Sequence, residues 1–305
     1  MKFLQKAAAA CLLGLASAVV QAQAAPPAEP ATVQANSPEA GNQPPPANER
    51  RWRLGAAFGY GQRTNPLIQS NDIPVLVDLD IAYFGNRWFF DNGDLGIELV
   101  DNDVMTTNLV ARVNSDRAFF SKTNTRYVTY SLMAGGFTAP INNSATGLPI
   151  TPTEALPLKP PERSYAIELG FETLFSGEWG QASLHGFHDV SGTHDGFEIG
   201  GDYSYRITRG RLTVSPSLGV TWKSNQLSDY YWGVHKDEAS LTLKSYEAKS
   251  GVGWEAGLRA NYYLTRSLRA AVSANYERLQ HSVAMSPLVK QDYVFGYFAG
   301  LAWQF

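Results

Sequence analysis

Beyond Trp52 the chain alternates apolar with polar residues for about ten positions at a time, and repeats this over and over. Val75, Val77, Leu79, Ile81 and Tyr83 interleave with Leu76, Asp78, Asp80 and Ala82. Tyr165, Ile167, Leu169 and Phe171 interleave with Ala166, Glu168, Gly170 and Glu172, and Phe197 to Ile207 with Glu198, Gly200, Asp202, Ser204 and Arg206. The pattern returns in 211–222, 252–262 and 268–277, with Arg211, Glu255, Arg259, Arg269 and Glu277 among the polar set. Successive side chains on a strand point to opposite faces, so each segment has one greasy and one polar side. The chain is all-β, and what remains is which side meets water.

A soluble sandwich or lipocalin-like barrel turns its greasy side inward; a transmembrane barrel turns it outward to lipid around a polar interior. The segments match the 9–11 tilted residues that cross a bilayer, whereas soluble strands average about five or six. Aromatics gather near segment ends (Tyr83, Phe137, Phe175, Trp179, Trp222, Tyr262, Tyr276 and Trp303), where an interfacial girdle would lie. Charged residues make up 17%, against roughly 25% in soluble proteins. The last segment, alternating through Tyr297, Leu301 and Trp303 to Phe305, resembles the signal that barrel-assembly machinery reads in outer-membrane barrels. The expectation is a transmembrane antiparallel β-barrel over 51–305, in the cell outer membrane, with lipid as its first partner.

Upstream, Lys2 and Lys6 precede an apolar run from Ala7 to Val20, and Ala22-Gln23-Ala24 offers small residues to a signal peptidase. The run is short of the roughly 20 residues a spanning helix needs, so residues 1–24 read as a cleaved signal peptide. Cys11, the one cysteine, leaves with it. The mature chain then has no thiol chemistry and no Cys-based zinc site. Loss of the two lysines leaves 23 basic against 28 acidic residues, a net charge of −5. Such a balance supplies no basic face for nucleic acid. Residues 25–50, rich in Pro and Ala and without an aromatic, read as a disordered periplasmic tether.

Twelve strands are expected, at 52–60, 74–84, 94–101, 104–113, 126–138, 164–175, 179–190, 195–207, 210–223, 251–263, 267–279 and 291–305. The count falls to ten if the weak pair near 94–113 is misread. Arg87–Asp91 is left out, because a thirteenth strand would put 139–163 on the wrong side. This scheme makes 114–125 a periplasmic loop and places 139–163 and 224–250 outside.

Three places could carry chemistry. The stretch His185 to Gly196 holds three of the five histidines with Asp189, Ser191 and Asp195. It could form a Ser–His–Asp hydrolase site, or a metal site at His188 and His194. It also reads as a hairpin whose Asp and Ser cap their own backbone, and this plainer reading predicts no catalytic and no metal residue. The second place is the lumen, where Asp78, Asp80, Glu98, Glu168, Glu172, Glu198, Asp202 and Glu255 would face Arg112, Arg206, Arg211, Arg259 and Arg269. Charges of both signs could select solutes or pair and close the passage. The third is Tyr230-Tyr231-Trp232, aromatics that could anchor a sugar or protein at the mouth or belt the interface.

Tyr231-Trp232-Gly233-Val234, Glu238-Ala239, Ser286-Pro287-Leu288-Val289 and the closing Gly300 to Phe305 together resemble the MipA/OmpV family. Gly55–Gly61, Pro74 and the Asp189–Gly196 hairpin are similar to its pattern as well. The likeness covers 52–305. It implies an outer-membrane barrel without catalytic residues or cofactors. Some relatives act as scaffolds joining a murein transglycosylase to a peptidoglycan synthase; others are porin-like or adhesive, with links to osmotic adaptation.

Overall fold

The computed structural model describes residues 51–120, 128–130, 160–240 and 243–305. The expected leader at 1–24, the Pro-rich stretch at 25–50 and Phe137 lie outside them. Twelve antiparallel strands close into a barrel: β1 (Arg51–Arg63), β2 (Ile73–Phe84), β3 (Trp88–Asp91), β4 (Asp94–Asp101), β5 (Met105–Val113), β7 (Ile167–Gly177), β8 (Gly180–Asp189), β9 (Phe197–Ser204), β11 (Leu212–Lys223), β12 (Gly251–Tyr263), β13 (Leu268–Arg278) and β14 (Tyr293–Gln304). Sequential neighbours pair around the ring, and β1 closes it by pairing with both β2 and β14. The short β10 (Ile207–Arg209) continues β9 and pairs with β11. Closure removes the open sheet edges that a bilayer cannot satisfy.

Two expected features need correction. Arg87–Asp91 belongs to the wall: Trp88–Asp91 pairs with β2 on one side and β4 on the other. Of the segment at 126–138 the structure describes Val128–Tyr130 (β6), which pairs parallel with β2 at Val77–Leu79 and so is not one of the twelve antiparallel strands. The total of twelve stands with one strand exchanged. Sequence reasoning weighs this strand and leaves it out, because a thirteenth strand would put 139–163 on the wrong side; it is four residues long and ends at Asn92-Gly93. Both residues have positive φ, 52° and 112°, the geometry of a tight hairpin turn. Consequently 114–120, the described part of the 114–125 connection, lies at the same end of the barrel as helix Asn225–Trp232, not the opposite one.

Outward positions are the greasy ones. Phe58, Ile167, Phe171, Ile199, Leu218, Val220, Val252 and Leu301 are exposed, while Asp78, Glu168 and Glu198 are buried. This is the inverse of a soluble protein, where full burial of Asp and Glu is rare. Two aromatic belts edge the greasy band. Trp52, Tyr83 and Trp88 pack against one another near one end, as do Trp179 and Tyr203. Phe197 with Trp222, and Trp254 with Tyr276 and Tyr293, do so near the other. Val75, expected on the outer face, is instead fully buried inside with Ala57, Ala271, Phe298 and Ala302. A bulge between Phe58 and Gly61 shifts the β1–β2 register and reverses its side.

Short turns occupy the end where β1 begins and β14 finishes; long connections occupy the other. At this loop end sits a second hydrophobic core of ordinary kind. It gathers Leu67, Phe119 and Phe120, Leu227 to Val234, Leu243 and Ala248, and Leu279, Val283 and Leu288 from four separate connections. Helix α1 (Asn225–Trp232) and the single turn α2 (His281–Ala284) carry part of it.

Candidate functional site

The functional candidates form three layers: the loop-end core, the charged lumen beneath it, and the rim of the turn end.

Helix α1 starts on Ser224, whose hydroxyl accepts from Leu227 N as an N-cap. The helix brings Tyr231 and Trp232 into the loop-end core, 0% and 1% exposed. The three aromatics are therefore not a free docking surface at the mouth. Tyr230 is partly buried against the same core. Trp232 Nε1 donates to Asp116 Oδ2 at 3.2 Å, and Lys223 Nζ donates to both oxygens of Asp116 at 2.8 and 2.9 Å. One carboxylate thus ties the segment after β5, the end of β11 and helix α1 together. Burial holds the Tyr231 hydroxyl above the ordinary phenol range. Gly233 packs so tightly that an added Cβ would lie 2.4 Å from Asp229 O. Arg163 Nη2 donates to Gly233 O at 3.0 Å and to Glu238 Oε2 at 3.0 Å, and its Nη1 donates to the other Glu238 oxygen. Burial pushes the Glu238 carboxyl up, but the Arg163 hydrogen bonds outweigh it and hold the group below the usual carboxylate range. Ser286 Oγ donates to Trp232 O at 2.5 Å, and Leu288 is fully buried beside it.

Beneath the core the lumen carries most of the expected charges. Arg112 Nε donates to Glu168 Oε2 at 3.0 Å, Arg112 Nη2 donates to Glu198, and Asn114 Nδ2 donates to Glu168 Oε1 at 2.6 Å. Lower down, Arg53 bridges Asp80 and Asp91 at 3.1 and 2.9 Å. Ser183 donates to Asp202 at 3.2 Å, with His185 Nδ1 3.7 Å from the same carboxylate. Asp202 and Glu255 meet over Gly219, where an added Cβ would sit 2.3 Å from Asp202 Oδ1 and 2.8 Å from Glu255 Cγ. Glu172 faces His185 in register. Asp78 is buried opposite Ala57, Arg259 sits between Ser215 and Ser273 in register, and Arg269 donates to Gln304 at 3.3 Å. Three expected residues lie at the turn-end rim instead: Glu98 beside Arg87, and Arg206 and Arg211, both exposed. Sequence reasoning missed Arg53, Arg63, Asp91, Asp116 and Lys223. Most sit in strand ends or connections, though the inward phase of Gly55 and Ala57 marks Arg53.

The His185–Gly196 stretch is a hairpin. Asp189 accepts from Ser191 N and Oγ at 2.9 and 2.6 Å and from His194 N and Asp195 N at 2.6 and 3.0 Å. The Ser191 hydroxyl is thereby turned to Asp189 and Thr193, not to an imidazole. His188 is exposed on the outer face, while His194 is buried facing Glu168 at 3.6 Å. Among the described residues no group of three His, Cys, Asp or Glu side chains has metal-binding geometry. Tyr297, Leu301, Trp303 and Phe305 share the outer face of β14 in phase, with Leu301, Trp303 and Phe305 exposed.

With this geometry in place, comparison with known proteins is decisive. Residues 54–305 match the family described as MltA-interacting protein MipA. The chain belongs to that family. Among relatives, the outer membrane protein Omp26La of Vibrio anguillarum is 26% identical over 129 residues, 42% of this chain and 50% of that protein. YiaT of Escherichia coli K12 is 27% identical over 128 residues, 42% and 52%. The MltA-interacting protein of the same strain is 31% identical over 102 residues, 33% and 41%. The chain spans about half the length of these relatives or less. Together they make it an outer-membrane β-barrel protein. Three of the motifs that carry the family likeness share one physical explanation. Tyr231 to Val234, Glu238 and Ser286 to Val289 all meet in the loop-end core.

Proposed function

We propose that this barrel passes small polar solutes through a narrow charged lumen, with the loop-end core as its stopper. The supporting observation is graded wetting of the inward charges. Under the stopper, Glu168 and Glu198 side chains are 0% and 6% exposed. Further down, Asp91 and Asp202 reach 34% and 41%. A barrel needed only as an anchor has no use for charges in its interior, since burying them without water or partners is costly. Carboxylates at Glu172, Asp202 and Glu255 dominate mid-lumen, so cations pass more readily than anions. In this reading residues 1–24 are an export leader, 25–50 a periplasmic tether, and the loop end faces outward. Planar-bilayer recording tests it. Small discrete steps are expected, becoming larger in Trp232→Ala and less cation-selective in Asp202→Asn/Glu255→Gln. Absence of steps in all three forms would reject the channel.

A scaffold is the second reading, supported by the names of a relative and of the family, both of which describe interaction with MltA. Partners of this kind, a murein transglycosylase or peptidoglycan synthase, would engage the tether and the turn end. Anchoring would raise their effective concentration. Pull-down from envelope extract with and without residues 25–50 tests this. Loss of any murein enzyme on deleting the tether is expected, and retention of none by either form would reject it.

A further inference from the structure

The rim at the turn end is electrically divided. From β3 to β8 it carries Glu98, Asp101, Asp103 and Glu178 alongside Arg87. From β9 to β13 it carries Arg206, Arg209, Arg211 and Arg266, with no acid in residues 205–211 or 264–267. All four arginines are exposed. None forms an ion pair among the described residues, unlike Arg53, Arg112, Arg163 and Arg278 elsewhere in the barrel. The two turns are in direct contact, since Tyr263 N donates to Arg211 O at 2.8 Å and Leu212 pairs with Tyr262. Four like charges held together in this way repel one another unless an anion joins them.

A second observation gives that anion its chemistry. On the outward face the arginines adjoin Tyr205, Ile207, Tyr262 and Leu264, all more than 40% exposed. Arg209 shares the outward phase of Ile207, so it stands at the lower edge of the greasy band. Arg206 and Arg211 take the opposite phase and face the mouth. Aromatic and aliphatic groups beside cations at this depth meet the region where acyl chains give way to headgroups. The choice of cation agrees. The described lysines, Lys223, Lys236, Lys244, Lys249 and Lys290, all lie at the loop end, and the turn end uses arginine alone. A planar guanidinium binds a phosphate through two parallel hydrogen bonds; an ammonium does not.

We propose that this arc from β9 to β13 is a binding site for the phosphate of an anionic phospholipid in the leaflet at the turn end. The lipid would be gripped from the outer face by Arg209 and from the rim by Arg206, Arg211 and Arg266, and Tyr205 and Tyr262 would border its headgroup. The site depends on the membrane placement of the barrel and not on solute passage, so it stands or falls independently of conductance.

The test uses the full barrel refolded in mixed micelles of phosphatidylglycerol and phosphatidylcholine, with retained lipid read by native mass spectrometry. The wild-type barrel is expected to retain phosphatidylglycerol at least tenfold over phosphatidylcholine. The Arg206→Gln/Arg209→Gln/Arg211→Gln/Arg266→Gln variant, checked for heat-modifiable migration as evidence of folding, is expected to lose that preference. A Lys236→Gln/Lys244→Gln/Lys249→Gln/Lys290→Gln variant, equal in charge change, is expected to keep it. An arginine variant as selective as wild type would overturn the site. So would loss of selectivity in the lysine variant, which would reduce the effect to net charge. Complete displacement of the lipid by millimolar inorganic phosphate would show an ion site and not a lipid site.

Discussion

The wall of the barrel and the core at its loop end obey opposite rules within one chain. In the wall, Leu218 and Val220 face outward and Glu168 and Glu198 face inward. At the loop end, Trp232, Leu227 and Leu288 are buried as in any water-soluble domain. The wall is held by a closed ladder of backbone hydrogen bonds, and its side chains suit lipid. The stopper has little regular structure and is held by apolar burial and a few buried polar contacts at Asp116, Arg163 and Ser286. Hydrophobic ordering therefore reports the local solvent, and two solvents meet near the Trp222–Trp254 belt.

Trp232→Ala should separate the two regions most sharply. Truncating a buried tryptophan costs about 3–5 kcal/mol, and here it also removes the indole donor from Asp116, leaving Lys223 as its partner. Hydrogen exchange in 225–234 and 281–289 is expected to accelerate while β11 to β14 stay protected. Equal acceleration in the strands would mean that wall and stopper form a single cooperative unit.

Leu218→Arg attacks the other region. On a lipid-facing midplane position an arginine costs about 2–4 kcal/mol, so the urea midpoint for unfolding from bilayers should fall markedly. A change near zero would be the behaviour of a surface in water.

Gly233→Ala is a finer probe. Its new methyl would collide with the Asp229 carbonyl, an overpacking penalty of about 1–3 kcal/mol. It should loosen the stopper in the same exchange experiment, less than Trp232→Ala does.

The smallest effect belongs to the Arg163–Glu238 pair. Because the folded-state pKa of Glu238 lies below its unfolded value, the pair contributes stability that is complete above the unfolded carboxyl pKa. That contribution disappears as pH falls through the folded value. Protection of the loop around Gly233 should weaken on acidification below about pH 4.3, by about 1 kcal/mol or less. Glu238→Gln should show no such dependence at this site.

How much of this was readable beforehand follows from the same contrast. Period-two alternation exposes a strand wherever one side meets lipid, so β7 to β9 and β11 to β14 were legible almost residue by residue. The short β3 was set aside, because counting it beside 126–138 made an odd number of strands. Val75 was assigned to the wrong face because a bulge leaves no trace in the alternation. The stopper was illegible for a different reason. Its members come from connections as far apart as Leu67 and Leu288, and nothing local marks Tyr231 and Trp232 as buried. The aromatic run Tyr230-Tyr231-Trp232 and the family motifs pointed to that place, without saying that it is buried. The arginine arc was hidden as well, because an overall acidic charge masks a basic sector assembled from two turns.

The central claim is that the greasy face of every wall strand touches lipid and the polar face lines the interior. Nitroxide labels placed singly at positions 217 to 221 in bilayers measure this directly. Collision with oxygen should peak at 218 and 220, and collision with a water-soluble nickel chelate at 217, 219 and 221. A reversed phase, or no alternation at all, would contradict the account.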